Sequence, residues 1–94
     1  MEPIPYQGPL EVARARMLRV LRALPRTTLF EEGPAVLRAE CRSLGFRVVD
    51  DVEIRFDDAA KLIHFRSASR LGRSDFGVNR ARMEGVRREF LAAP

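Results

Sequence analysis

The sequence predicts an α+β fold, in which an antiparallel meander sheet of four to five strands carries two helices packed on one face. Two observations lead to this prediction. Apolar residues recur at helical spacing near both ends of the chain. Between these ends they alternate with polar residues, as in strands that have one buried face. The expected order of elements is β-α-β-β-β-β-α.

The amino-terminal quarter predicts an extended arm and a helix. Residues 3–8 contain two prolines, which are tolerated only in an edge strand. The helix is expected at residues 9–24, with Pro9 at its first position and Pro25 ending it. Its apolar arc consists of Leu10, Ala13, Met17, Val20, Leu21 and Leu24. The opposite side carries Arg14, Arg19, Arg22 and Arg26, with Arg16 at the margin.

The middle of the chain predicts four strands, at residues 27–32, 35–43, 51–56 and 61–69. Turns are expected at residues 32–34, 44–46 and 57–58. The inward side chains are Ala35, Leu37, Ala39, Cys41, Val52, Ile54, Phe56, Ile63 and Phe65. The outward ones include Arg38, Glu40, Arg42, Asp51, Glu53, Arg55, His64 and Arg66, whose opposite charges can pair across strands.

A second helix is expected from Ser74 or Asp75 to about residue 91, with Met83, Val86 and Phe90 on its buried arc. Because each helix has one apolar stripe, both are expected on the same face of the sheet. This arrangement resembles a single copy of the TATA-binding-protein fold or a helix-grip fold, an analogy that implies no function.

Composition bounds the possible functions. The 94 residues predict one domain, 1–94, and 46% hydrophobic with 32% charged residues is typical of a globular protein. No apolar run approaches the ~18 residues of a membrane span, and the amino terminus lacks signal-peptide order, so we expect a cytoplasmic protein without a membrane span. One cysteine and one histidine exclude an internal disulfide and a multi-histidine metal site. We expect Cys41 in the core and no cofactor.

Arginine is strongly preferred over lysine, with Lys61 the one lysine among 17 basic residues. Two explanations compete. A GC-rich or thermophilic genome favours arginine for reasons unrelated to function. Alternatively, binding of phosphates or carboxylates selects the guanidinium group, whose fork matches their geometry.

A polar stretch at residues 66–80 interrupts the alternating pattern: Arg-Ser-Ala-Ser-Arg-Leu-Gly-Arg-Ser-Asp-Phe-Gly-Val-Asn-Arg. It resembles the signature of a bacterial and plastid family known as domain of unknown function 1499. Further matching pieces are Ile4-Pro5-Tyr6, Gly45-Phe46, the run 50–53 and the closing helix from Arg80 to Phe90. The resemblance implies a shared fold and supplies no activity. Many members carry an additional amino-terminal Pro-Asn-Cys motif, so we expect no function here that depends on that cysteine or on export.

The same stretch supplies the candidate site, at the corner where the last strand passes into the last helix. Ser67 and Ser69 follow Ile63 and Phe65 at a spacing of two, so their side chains are expected to face inward. Asn79 is expected on the buried side of the last helix, and Asp75 at its start. Buried polar groups need partners, so these residues either pin the corner or line a ligand pocket. Arg66, Arg70, Arg73 and Arg80, with Gly72 allowing close approach, form a candidate phosphate or carboxylate site. Alternatively, Arg66 or Arg70 pairs with Asp50, Asp51 or Asp75.

These patterns favour a non-enzymatic binding or scaffold domain that holds a small anionic group at this corner. One alternative is a small hydrolase or isomerase that uses Asp75 and neighbouring serines. Another is nucleic-acid binding through the arginine face of the first helix. The outward strands show no stacked aromatic residues, which disfavours RNA recognition by the sheet. The sequence leaves the oligomeric state open and is compatible with a homodimer.

Overall fold

The computed structural model describes residues 2–42, 49–69 and 76–92. Within these ranges the elements follow the predicted order. They are β1 (Ile4–Pro5), α1 (Leu10–Arg22), β2 (Thr27–Gly33), β3 (Val36–Arg42), β4 (Val49–Asp57), β5 (Leu62–Ser69) and α2 (Phe76–Ala92). The predicted α+β class is confirmed.

The strands form one antiparallel sheet in the spatial order β1-β5-β4-β3-β2. From β2 to β5 each strand pairs with the next along the chain, which confirms the meander. The short β1 returns to the far side of β5, where Ile4 lies opposite Ile63. The turn expected at 44–46 lies outside the described residues.

One face of the sheet is buried beneath the helices, as the alternating pattern predicts. Its core residues are Leu37, Ala39 and Cys41 from β3, Val52, Ile54 and Phe56 from β4, and Ile4 and Ile63 from β1 and β5. Phe65 is partly buried against this cluster. The strand period of two therefore fixes which side of β3, β4 and β5 faces the helices.

The buried stripe of α1 is wider than the sequence predicts. Ala13, Met17 and Leu21 are buried as expected, but Leu18, which the predicted arc omits, is also buried. The helix packs against both α2 and β2, so two directions on its surface are covered instead of one. Pro9, with extended backbone, precedes the helix as its cap and is not its first residue.

The second helix packs through the residues that its spacing predicts. Met83, Val86 and Phe90 are all buried. The guanidinium of Arg16 on α1 lies 5.3 Å from the centre of the Phe90 ring, so this marginal arginine joins the two helices. A cation over an aromatic face contributes about 0.5–2 kcal/mol.

Arg14 is a correction to the predicted solvent-exposed arginine stripe. Its Nη2 lies 2.6 Å from Glu31 Oε1, and its side chain is only 22% exposed. Glu31 reaches it because Glu31 lies opposite the buried Leu37, and therefore on the helix side of the sheet. A β-bulge between Glu31 and Gly33 follows this position.

The outer sheet face carries the predicted charges together with one aromatic residue that sequence reasoning missed. Arg38 lies opposite Glu53, and Glu53 lies opposite Arg66, so charge alternates across three strands. Phe30 lies opposite Arg38 on β2, and the Arg38 guanidinium is 4.6 Å from its ring centre. Phe30 is therefore an outward aromatic residue at the sheet edge, and its ring contacts a guanidinium.

A polar clamp fastens the amino-terminal arm to the hairpin between β4 and β5. The Tyr6 hydroxyl donates to Asp58 Oδ1 at 2.7 Å, and Lys61 Nζ donates to the same oxygen at 2.6 Å. Lys61 Nζ also donates to the carbonyl of Gly8, whose positive φ of 82° suits glycine. Burial and the bond to Asp58 raise the pKa of Tyr6 to about 12. Hydrogen bonds from Lys61 and Tyr6 lower the pKa of Asp58.

Candidate functional site

The predicted corner lies at the end of the sheet where the first residues of β4 pair with the last residues of β5 and where Arg82 of α2 contacts β4. In the β4–β5 register, Ser67 lies opposite Val52 and Ser69 lies opposite Asp50. Val52 and Asp50 are both buried, so this register runs along the helix side of the sheet. Ser67 is half-buried there, which confirms its predicted inward direction. The side chain of Ser69 lies outside the described residues.

Asp50 is the buried polar residue at this corner. Its Oδ2 accepts a hydrogen bond of 3.1 Å from Nη1 of Arg82 on α2. The two side chains are 5% and 14% exposed, so both charges are largely removed from water. A buried charge is tolerated only when an opposite charge compensates it, and the pair therefore joins β4 to α2.

The second carboxylate oxygen of Asp50 is unusual. Within the part of the chain that the structure describes, Oδ1 is buried and has no hydrogen-bond partner. Leaving a buried acceptor unpaired costs about 1–3 kcal/mol. Native proteins carry few such atoms, and their explanations are strain, a catalytic or redox role, or a bound water or ion. This oxygen is the strongest functional signal at the corner.

The structure separates two of the predicted arginines from this inner corner. Arg66 is exposed on the outer face of β5, opposite Glu53, and so points away from the side that carries Ser67. The side chain of Arg80 is 80% exposed and its Nε lies 3.0 Å from Glu84 Oε1. These two arginines can meet a ligand only at the solvent side of the corner.

The remaining predicted site residues fall outside what the structure describes. They are Arg70, Gly72, Arg73 and Asp75, together with the side chain of Asn79, whose backbone lies in the first turn of α2. Their placement in the site stays a prediction.

Arg82 is the site residue that sequence reasoning missed. Arg66 or Arg70 was expected to pair with Asp50, Asp51 or Asp75. The structure pairs Asp50 with Arg82, and Arg70 and Asp75 lie outside the described residues. The signal was present in the sequence, because Arg82 precedes the buried Val86 by four residues and Phe90 by eight. Residues at these spacings share one helix face, so Arg82 had to lie along the buried arc.

Other reactive side chains do not assemble into a catalytic site among the described residues. His64 is exposed on the outer face, whereas Ser67 lies on the helix side. Cys41 is buried, and its sulfur lies 3.6 Å from the Thr27 hydroxyl. No group of three or more histidine, cysteine or carboxylate residues within the described ranges could hold a metal ion.

A groove of about 600 Å³ lies between the carboxyl-terminal halves of the two helices, away from the predicted corner. Val20, Leu24 and Val86 supply apolar surface, and Arg19 and Glu89 supply one charge of each sign. Of the predicted site residues whose side chains are described, Arg66, Ser67 and Arg80, none lines this groove.

The fold and the corner together define an α+β domain that covers one sheet face with two helices and buries an aspartate–arginine pair between sheet and helix. The chain belongs to the family of proteins of unknown function DUF1499, whose model matches residues 1–90. The resemblance seen in the polar stretch is thereby confirmed. Comparison with curated proteins gave no match, and comparison with solved structures gave none either. Neither described helix is long and apolar enough to cross a membrane.

Proposed function

We propose that this chain is a non-enzymatic, single-domain binding protein of the cytoplasm that holds a small anionic ligand at the corner of β4, β5 and α2. The observation that carries the proposal is the buried, unpartnered Oδ1 of Asp50. A site that binds nothing would gain stability by pairing or removing this acceptor, because its desolvation is otherwise uncompensated.

The chemistry of Asp50 adds a requirement to the ligand. Its Oδ1 is an acceptor, so the ligand must present a hydrogen-bond donor such as a hydroxyl or an amino group. Arg82 neutralises the carboxylate through Oδ2, which allows an anionic group to lie nearby without meeting an isolated negative charge. We therefore infer a ligand that carries a donor beside a phosphate or a carboxylate.

The anionic group is expected at the start of α2. Backbone N–H groups there favour an anion, and the first turn of α2 contains no acidic residue. The predicted set of Ser67, Ser69, Arg70, Gly72, Arg73, Asp75 and Asn79 would surround this position. Arg66 and Arg80 would contribute long-range attraction from the solvent side, because both are exposed.

Matched probes test the proposal by thermal shift and calorimetry. Glycerol phosphate offers both hydroxyl groups and an anion, inorganic phosphate offers the anion alone, and glycerol offers the hydroxyl groups alone. We expect the phosphate ester to bind at least about tenfold more tightly than inorganic phosphate, and glycerol not to bind. A screen of hydroxy acids and amino acids extends the same comparison to carboxylates.

Two variants separate binding from folding. Asp50→Asn replaces Oδ2 or Oδ1 by a donor and is expected to weaken the phosphate ester about tenfold or more. Glu89→Gln, an exposed change of equal charge near the end of α2, is the control and should leave affinity unchanged. Equal affinity of both folded variants, or the absence of binding by any probe in the screen, would show that the corner is a structural joint only.

The structure gives less support to the two alternatives. Nucleic-acid binding by α1 loses Arg14 and Arg16 from the exposed arginine face, because one pairs with Glu31 and the other covers Phe90. Arg19 and Arg22 stay exposed. The hydrolase hypothesis needs a base within reach of a serine, and among the described residues His64 lies on the outer face while Ser67 lies on the helix side. We therefore prefer binding to catalysis.

A further inference from the structure

A second concave surface lies away from the corner, in the groove between α1 and α2. Its volume of about 600 Å³ falls within the range of sites that bind small organic ligands. Val20 and Leu24 supply apolar surface on the α1 side, and Val86 supplies it on α2. Ligand sites are typically apolar, with a few polar or charged groups that fix the orientation of the ligand. The groove therefore has the composition of a ligand site.

Two charges of opposite sign line the groove from its two walls. Arg19 lies on α1 and Glu89 lies on α2, and both side chains are exposed. Within the described ranges neither side chain has a hydrogen-bond or ionic partner, and the two do not pair with each other across the groove. A molecule that carries a negative end and a positive end would give both of them a partner.

Gly85 leaves the α2 wall of the groove open. It is an interior residue of α2, where glycine is less favourable than alanine. Packing does not require a glycine, because a methyl group there would meet only Arg88 Nη2, at 3.9 Å, beyond the backbone of its own helix. A longer side chain would enter the groove, which Gly85 lines. The glycine therefore preserves the depth of the groove at a cost to the helix.

We propose that this groove binds a short apolar peptide with free ends, independently of the anion site at Asp50. The peptide carboxylate pairs with Arg19, the peptide ammonium pairs with Glu89, and the apolar side chains cover Val20 and Val86. Because the two protein charges do not reach each other, a single amino acid, with both charges on one carbon, is too short. Each added residue extends a peptide by about 3.5 Å, so about two or three residues suit the groove.

Charge selects this occupant over other apolar molecules. A fatty acid would pair with Arg19 but would bring a second negative charge beside Glu89, and like charges repel. A neutral apolar molecule would leave both protein charges without a partner while it displaced water from them. A peptide with free ends matches both charges and the apolar surface between them.

Matched dipeptides test the proposal by nuclear magnetic resonance titration of the backbone amides. Leucyl-leucine has both charges and apolar side chains, its N-acetyl form lacks the ammonium, its amide lacks the carboxylate, and glycylglycine lacks the side chains. We expect leucyl-leucine to bind in the millimolar range and to shift the signals of Val20, Leu24, Gly85 and Val86. Each blocked form should bind about three- to fivefold more weakly, as expected for the loss of one exposed ion pair. Glycylglycine should not bind.

Variants of the groove separate the two proposed sites. Arg19→Gln and Glu89→Gln should each weaken leucyl-leucine about three- to fivefold. Arg22→Gln, an exposed change one turn further along α1 and outside the groove, is the control and should have no effect. Gly85→Leu should fill the groove and weaken binding at least about tenfold, with the fold checked by circular dichroism. Gly85→Ala, a smaller change, should fold at least as well as wild type and weaken binding less.

Three results would overturn the proposal. The first is equal binding of leucyl-leucine by wild type and by the folded Gly85 variants. The second is binding that Asp50→Asn abolishes and Arg19→Gln spares, which would place the dipeptide at the corner and leave the anion site intact as a proposal. The third is a set of groove signals that shift with protein concentration and not with peptide, which would assign the groove to a second copy of the chain.

Discussion

Asp50 and Arg82, 32 residues apart in the chain, form a buried ion pair in which only one oxygen of the carboxylate is engaged. The contact fixes α2 against β4 at the end of the sheet where the strongest sequence signature lies. In the proposed function, the geometry that positions the helix also leaves Oδ1 of Asp50 as the acceptor for a ligand.

Removing Arg82 should be far more damaging than removing a surface arginine. Arg82→Ala leaves the Asp50 charge buried without compensation, and we expect a loss of about 3–5 kcal/mol in urea unfolding. Arg80→Ala, which breaks an exposed pair with Glu84, should cost no more than about 0.5 kcal/mol. The double variant Asp50→Asn with Arg82→Leu should be more stable than Arg82→Ala alone. A double variant as unstable as the single one would contradict the ion-pair explanation.

The clamp at Asp58 should make stability depend on acidity. Its folded-state pKa is lowered, first by the bond from Lys61 and then by the bond from Tyr6. The stability that the ionised carboxylate contributes is therefore complete above its unfolded pKa of about 3.8 and is lost as pH falls through the lower folded value.

Unfolding midpoints in urea between about pH 6 and pH 2 measure this dependence. We expect Asp58→Asn to be less stable than wild type near pH 6, and the difference in stability to shrink as the pH falls toward 2. Glu84→Gln, at an exposed site on α2, should run parallel to wild type. A constant difference between Asp58→Asn and wild type would exclude linkage through this carboxylate.

Sequence patterns predicted the parts of this fold that depend on local spacing. The alternation in β3 and β4 assigned the buried faces of Leu37, Val52 and Ile54 because the strand period leaves no freedom. Local spacing left open what tertiary placement decides. The partner of Asp50 depends on how α2 crosses the sheet, and the outward direction of Phe30 depends on register with β3.

At the corner, too, local spacing predicts some features and tertiary placement decides others. The inward direction of Ser67 follows from its spacing to Ile63 and Phe65, and the structure confirms it. The burial of Asp50 does not follow from spacing alone, because a charge at the end of a strand ordinarily stays in water. Only the arginine supplied by a distant helix makes that position favourable.

Leu18 should prove to be a core residue despite its absence from the predicted arc. Its side chain is 8% exposed, and Leu18→Ala should destabilise the protein by about 2–4 kcal/mol in chemical denaturation. Val12→Ala on the same helix is the control, since Val12 is 53% exposed and its truncation should change stability by less than about 0.5 kcal/mol. Similar losses in both variants would mean that α1 does not bury two surfaces.

Tyr6 offers a direct spectroscopic test of the clamp, because the chain contains one tyrosine and no tryptophan. Absorbance titration should show its phenol ionising at a pKa of about 12, where burial and the bond to Asp58 hold the proton. Asp58→Asn removes the bond to Asp58 and should bring the pKa of Tyr6 closer to 10, while burial still raises it.

The raised pKa of Tyr6 also makes the free energy of unfolding depend on pH. The contribution of the neutral phenol is complete below pH 10 and is lost as pH rises toward about 12. If the folded protein titrates at the value of free tyrosine, the hydroxyl is not bound to Asp58 and the arm is not clamped as described.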